Sequence, residues 1–168
     1  MTAQDVVRIY QLLAAHGIEV WVDGGFCVDA LVGRATREHS DLDIAVERGG
    51  VDALCAALAN DGLSRLPRKD SSAWSFVLGD GRRNVDVHVF AYDEAGKHLY
   101  GIEYPFGSLT GTGEIDGIKV ACVAPQWMFR FKTDYAPTAK DIADVAALAD
   151  RFGFAIPDTH ARPTSRDE

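Results

Sequence analysis

The 168-residue chain is poor in cysteine, with only Cys27, Cys55 and Cys122. An odd number of thiols, widely spaced and flanked by apolar residues, makes neither a disulfide framework nor a zinc cluster, so three buried thiols in a reducing cytoplasm are expected. Positive charge is scarce too. Against 25 Asp and Glu stand 17 Lys and Arg, a formal charge of −8, which argues against a long nucleic acid as partner, because such binding rests on counterion release by basic residues. No apolar run approaches the roughly 20 residues that cross a bilayer, and the start MTAQDVVRIYQ lacks a basic-then-apolar leader. Neither membrane insertion nor secretion is expected. Repeats, low-complexity stretches and a linker between two hydrophobic blocks are also missing. That leaves one domain over 1–157 and a polar, frayed tail over 158–168. A hydrophobic share of 47% excludes a disordered chain.

Thr2 can cap a helix in which Val6, Ile9, Tyr10 and Leu13 recur at helical spacing, with Gly17 as its stop and His16 meeting its terminal carbonyls. The β-branched and aromatic run 18–22 reads as a strand ending in the turn Asp23-Gly24-Gly25, and 26–31 as a short helix closed by Gly33. Further strands are expected over 42–46 and, weakly, 63–66, with an alanine-rich helix over 51–60 between them. Residues 74–78 and 83–90 flank Gly79-Asp80-Gly81 as an antiparallel hairpin. The glycine-rich, polar stretch 93–117 carries a second reversal at Asp116-Gly117 before a strand over 118–123. Pro125 and Pro137 suit the first turns of two helices, through 133 and 152. The sum is an α/β (α+β) domain: a mixed sheet with helices packed on one side.

Chemistry concentrates on two strands. In Asp41-Leu42-Asp43-Ile44-Ala45-Val46 the period of two sets Leu42, Ile44 and Val46 on one face and both carboxylates on the other. In Val85-Asp86-Val87-His88-Val89 the same alternation turns Asp86 and His88 away from three valines. Carboxylates two apart on a strand lie about 6 to 7 Å apart at Cα, within reach of one divalent ion. With a third from a neighbouring strand they make an oxygen site suited to Mg²⁺. Glycines at 24 and 25 let backbone amides approach an anion, and a helix N-terminus adds partial positive charge. Each signal alone also has an ordinary structural reading: acids on a solvated strand face, a tight turn, Trp21, Trp74 and Trp127 as wall residues, Asp29 as a first-turn acid. The acids Asp134, Asp141, Asp144 and Asp150 read as a solvated helix face.

Together, Gly24-Gly25-Phe26-Cys27-Val28-Asp29-Ala30-Leu31-Val32-Gly33 and Thr36-Arg37-Glu38-His39-Ser40-Asp41-Leu42-Asp43, with Asp86 on a later strand, resemble the polymerase-β-type nucleotidyltransferase superfamily. They are similar in particular to its antibiotic-modifying branch, the lincosamide nucleotidyltransferases and aminoglycoside 2''-adenylyltransferases. The resemblance is densest over 18–46 and faint from 92 to 121. It departs from the family at Phe26, where Trp is frequent, and after His88, where the lincosamide enzymes continue with Pro and this chain has Val89.

The resemblance implies that Gly24 and Gly25 hold the triphosphate of ATP or another nucleotide, and that Asp41, Asp43 and Asp86 bind two Mg²⁺ ions. It implies that Asp86 completes metal binding or takes the acceptor proton, and its reach to both makes it the expected general base; Arg37 and His39 are implied as groups meeting phosphate, and Lys132 and Lys140 as further phosphate contacts by analogy. The implied reaction moves NMP, AMP by expectation, to a hydroxyl of a small molecule such as a lincosamide or aminoglycoside, with release of pyrophosphate. A chain this short could complete its acceptor pocket across a homodimer interface. Two alternatives stay open: a toxin-antitoxin type enzyme acting on protein or tRNA, and a nucleotide-binding module without turnover.

Overall fold

A computed structural model describes residues 1–161. In chain order the elements are α1 (Ala3–Ala15), β1 (Val20–Asp23), α2 (Gly24–Val32), β2 (Leu42–Glu47), α3 (Val51–Asn60), β3 (Ser64–Arg65), β4 (Ser75–Gly79), β5 (Asn84–Tyr92), β6 (His98–Gly101), β7 (Gly111–Ile115), β8 (Ile118–Cys122), α4 (Pro125–Thr133) and α5 (Ala139–Phe152). The strands form one mixed sheet in the order β3-β4-β5-β2-β1-β8-β7, with β6 paired to the far end of β5. β2–β5 and β1–β8 run parallel, while β1–β2, β4–β5 and β7–β8 are antiparallel.

Alternation in the three central strands sorts the side chains into two faces. Val20 and Val22 of β1 register with Val46 and Ile44 of β2, which in turn face Val89 and Val87 of β5. All six are buried in the main core with Val6, Ile9 and Leu13 of α1 and Leu54 and Leu58 of α3. The opposite face carries Trp21, Asp23, Asp43, Ala45, Asp86 and His88 by the same register.

Helix α1 starts with a capping box in which Thr2 and Asp5 satisfy one another's backbone amides, and His16 Nδ1 lies 2.8 Å from the Leu12 carbonyl. Helix α2 begins at Gly24, two residues before its expected start, because the Asp23 carboxylate accepts from the Gly24 amide at 2.7 Å and caps it. The diglycine is therefore the first turn of a helix, and Gly25 through Leu31 are all buried. Asp29 consequently sits past that first turn, contrary to its expected place.

The stretch 93–117 holds two strands, β6 and β7, that its glycine content concealed. Gly113 of β7 lies so close to Ala30 of α2 that a Cβ would strike the Ala30 backbone. Its missing side chain is what lets helix and strand meet. Cys27 and Cys122 are buried as expected, whereas Cys55 is partly exposed. Of the tail expected over 158–168, Asp158–His160 form a 3-10 turn with His160 buried, and 162–168 lie outside the described residues. Among the described residues no helix is long and apolar enough to cross a membrane.

Candidate active site

Three carboxylates stand in one row across the centre of the sheet. Asp23, the last residue of β1, faces Asp43 of β2, and Asp43 faces Asp86 of β5. Neighbouring strands lie about 4.8 Å apart, so the row is compact. Asp41 adjoins it from just before β2. The diglycine is pressed against it: Gly24 has φ +60°, and a Cβ there would collide with the Asp43 carboxylate. Only glycine meets both conditions.

The charges of this row are poorly matched. Burial, then the Asp23 charge, then that of Asp41 and Asp86 push the Asp43 carboxyl up to about 7. Burial, followed by Asp41, also raises that of Asp86. Asp86 Oδ1 is buried with no hydrogen-bond partner, and Arg68 from the β3–β4 loop comes no closer than 3.7 Å. Asp23 differs. Burial works to raise its carboxyl, yet the nearby His88 imidazole and the hydrogen bonds from Tyr104 and the Gly24 amide outweigh that and hold it below the ordinary value. Tyr104 Oη donates to Asp23 Oδ2 at 2.6 Å, and His88 Nδ1 lies 3.3 Å from Tyr104 Oη and 3.6 Å from Asp23 Oδ2. Burial opposes protonation of His88, but the charges of Asp23, Asp43 and Asp86 prevail and raise its pKa.

An unpartnered carboxylate oxygen beside a carboxyl raised by its like-charged neighbours is an environment that a hard divalent cation would relieve. As it stands, no group of three His, Cys, Asp or Glu side chains among the described residues is arranged to hold a metal ion. Mg²⁺ takes few protein carboxylates and completes its shell with water and substrate phosphate, so Asp41, Asp43 and Asp86 are donors of the right kind.

A second cluster backs the diglycine. A Cβ at Gly25 would meet the His39 ring and the Arg37 guanidinium. His39 Nε2 pairs with Asp29 Oδ2 at 2.7 Å, and its ring lies 4.4 Å from that of Phe26. Arg37 grips Asp144 of α5 with two hydrogen bonds, at 2.8 and 2.9 Å. Lys132 of α4 reaches the same Asp144 at 3.0 Å and Asp141 at 3.4 Å. Asp141 and Asp144 are thus buried, at 6% and 0% exposure, and the expected solvated face of α5 is corrected for both. Asp134 and Asp150 are exposed. Asp141, Asp144, Val145 and Leu148 recur at i, i+3, i+4 and i+7, so the helical period itself marks these acids as inward. Lys140 is exposed on α5.

The row thus gathers Asp43 and Asp86 with Asp41 alongside, and Gly24 against Asp43. Arg37 and His39 stand at Gly25, Lys132 meets Arg37 through Asp144, and Lys140 is apart from these contacts. Asp23 and Tyr104 escaped the sequence reading. Asp23 shares the parity of Trp21 and immediately precedes the glycines, a usable signal. Tyr104 lies in the glycine-rich stretch, where no periodicity exposes it.

The family model for aminoglycoside-2''-adenylyltransferase matches residues 5–148. The chain belongs to that family. A 2''-aminoglycoside nucleotidyltransferase of Klebsiella pneumoniae is 36% identical over 149 residues, covering 82% of this chain and 79% of the relative. The fold matches that of ANT(2'')-Ia in complex with adenylyl-2''-tobramycin, with a TM-score of 0.71, 22% identity and coverage of 88% and 87% of the two chains. It also matches lincomycin-bound LnuA, a lincosamide antibiotic adenylyltransferase, with a TM-score of 0.73, 21% identity and coverage of 88% and 96%. As a member of the aminoglycoside-2''-adenylyltransferase family, the chain is an enzyme of the nucleotidyltransferase class, built on the mixed-sheet fold of these structures.

Proposed function

We propose that this enzyme moves AMP from Mg-ATP to a hydroxyl of an aminoglycoside and releases pyrophosphate, drawing on the cytoplasmic nucleotide pool. The observation that carries the reading is the carboxylate row seated against the capped diglycine of α2. An aminoglycoside is favoured over a lincosamide by the 36% identical relative named for it and by the charge of −8, which attracts a polycation.

In this reading the N-terminus of α2 faces the phosphates with the Gly25 amide, while the Gly24 amide stays capped by Asp23. Arg37 and His39 stand beside Gly25, and Lys132, next to Arg37 on Asp144, supplies further positive charge. Asp41, Asp43 and Asp86 would hold the divalent ions, which when bound neutralise phosphate charge and acidify the attacking hydroxyl. Asp86 takes the hydroxyl proton at its unpartnered Oδ1, and its raised pKa suits it to that role. The freed oxygen bonds to the α-phosphorus as the bond to pyrophosphate breaks in line.

Pyrophosphate release from each Mg-nucleoside triphosphate, with aminoglycosides, lincosamides or no acceptor, tests this. Release that needs an aminoglycoside and vanishes in Asp43→Asn supports it, and release with lincosamides alone reassigns the acceptor. Label transferred to the protein itself, or nucleotide binding without release, returns the protein-modifying or binding-module alternatives.

A further inference from the structure

Tyr104 is almost wholly buried, at 2% exposure, yet its hydroxyl is aimed at the acidic face and not at the core. It comes from the loop after β6 and crosses to β1, where it donates to Asp23, while His88 of β5 lies against the same oxygen. β1 and β5 are not neighbours, since β2 runs between them. At the rung between His88 and Trp21, β2 contributes only Ala45, which leaves room for a phenol above it. The Tyr104 ring is fixed edge-on to Phe90 at 5.7 Å and to Phe131 of α4 at 6.3 Å. A hydroxyl burdened with desolvation and held by two aromatic walls is well placed to orient its partners.

We propose that Tyr104 is a positioning residue for nucleotidyl transfer. Its hydroxyl pins the Asp23 carboxylate that caps Gly24, and it holds Nδ1 of His88. One group thereby sets both the diglycine at the nucleotide end and the imidazole next to Asp86 at the acceptor end, leaving His88 Nε2 for the incoming hydroxyl. This rests on the transfer reading above.

Tyr104→Phe removes one oxygen from a site otherwise walled by rings. Its expected signature is a kcat about tenfold or more below wild type, with KM for nucleotide and acceptor changed less than about twofold, the split expected when positioning for the transition state is lost and substrate binding is not. Combined with His88→Gln, the loss should fall well short of the product of the two single losses. Nitrogen-15 shifts of the His88 ring in the apo protein, at one pH, should move in Tyr104→Phe. Unchanged kcat in a folded Tyr104→Phe, a loss that only follows the folded fraction, or unmoved His88 shifts would overturn the proposal. If wild type transfers to no acceptor, the transfer reading fails, and the His88 shifts decide separately whether the latch exists: moved, it stands; unmoved, it falls.

Discussion

Two groups of carboxylates, one buried and one half-buried, sit on either side of the diglycine, and they are treated in opposite ways. Behind Gly25, Asp144 has two hydrogen bonds from Arg37 and an ion pair with Lys132, and Asp141 is bonded by Thr138 and Tyr135. Burial would raise the Asp141 carboxyl, but those partners and the Lys132 charge drive it well below the ordinary range. In front of Gly24, Asp43 is raised by burial and the charge of Asp23, and Asp86 by burial and the charge of Asp41. A buried charge costs several kcal/mol unless it is paired. The first group meets that condition within the protein and fastens α4 and α5 to the 36–39 loop. The second does not, and unmatched charge of this kind is where a ligand can bring the counter-charge.

The sharpest break between the groups is Asp43→Asn. Transfer should drop by roughly 10³-fold or more, while a urea melt shows stability unchanged or slightly raised, because one repelling charge is gone. Loss of the fold would make the front group structural after all. Asp144→Ala should do the reverse. Stranding Arg37 and Lys132 should cost about 3 kcal/mol in denaturant unfolding, with activity falling as α5 loosens.

Gly25→Ala probes the boundary between the two groups. A methyl there must displace His39 and Arg37, for an expected loss of about 1–3 kcal/mol, readable as a drop of several degrees in Tm.

Acid and base should part the two groups in sign. A carboxyl raised in the folded state binds more protons folded than unfolded, so without cation Asp43 should erode stability as pH climbs from about 4, its ordinary value, to about 7. Asp141, lowered in the folded state, contributes stability that is complete above its ordinary pKa and lost as pH falls below it. Tm should thus fall by a few degrees between pH 5 and pH 8 without Mg²⁺, and Mg²⁺ should restore more of it at pH 8 than at pH 5. An equal Mg²⁺ effect at both would separate cation binding from this row. The smallest difference is expected at the lysines. Lys132→Met should raise the nucleotide KM about fivefold or more, whereas Lys140→Met, on an exposed side chain, should change it by less than about twofold, the scale of a weak surface ion pair.

Much of the front group was legible because strands write their faces into sequence with a period of two. Asp41-Leu42-Asp43 and Asp86-Val87-His88 declare that acids share a side, and Gly24-Gly25 declares where the backbone must be bare. Register was not legible: nothing in residues 41–90 says that Asp43 faces Asp86 or that β5 adds parallel to β2, since pairing is set by the whole sheet. The back group was misread for a different reason. Asp141 and Asp144 look like surface acids until Arg37, 107 residues from Asp144, supplies the cation. Their positions in the helical period did point inward, and charge masked it. Tyr104 had neither period nor motif, so only its hydrogen bond to Asp23 reveals it. Strands β6 and β7 were hidden by glycines present for close contact, as at Gly113 with Ala30.

One consequence concerns how such a chain is made. β1 is paired on one edge with β2 and on the other with β8, whose Cys122 meets Val22 across a hundred positions of sequence. A ribosome that has released everything through β5 has exposed the whole acid row, but the second edge of β1 still lacks its neighbour. Its free amides and carbonyls then offer a template to any passing strand, and closure across so long a loop is slow. Emergence of β8, α4 and α5 therefore seals the hazard and closes the sheet in one event. Fragments ending before residue 122 should aggregate sooner than they catalyse, which pulse-labelled stalled chains would reveal by sedimentation.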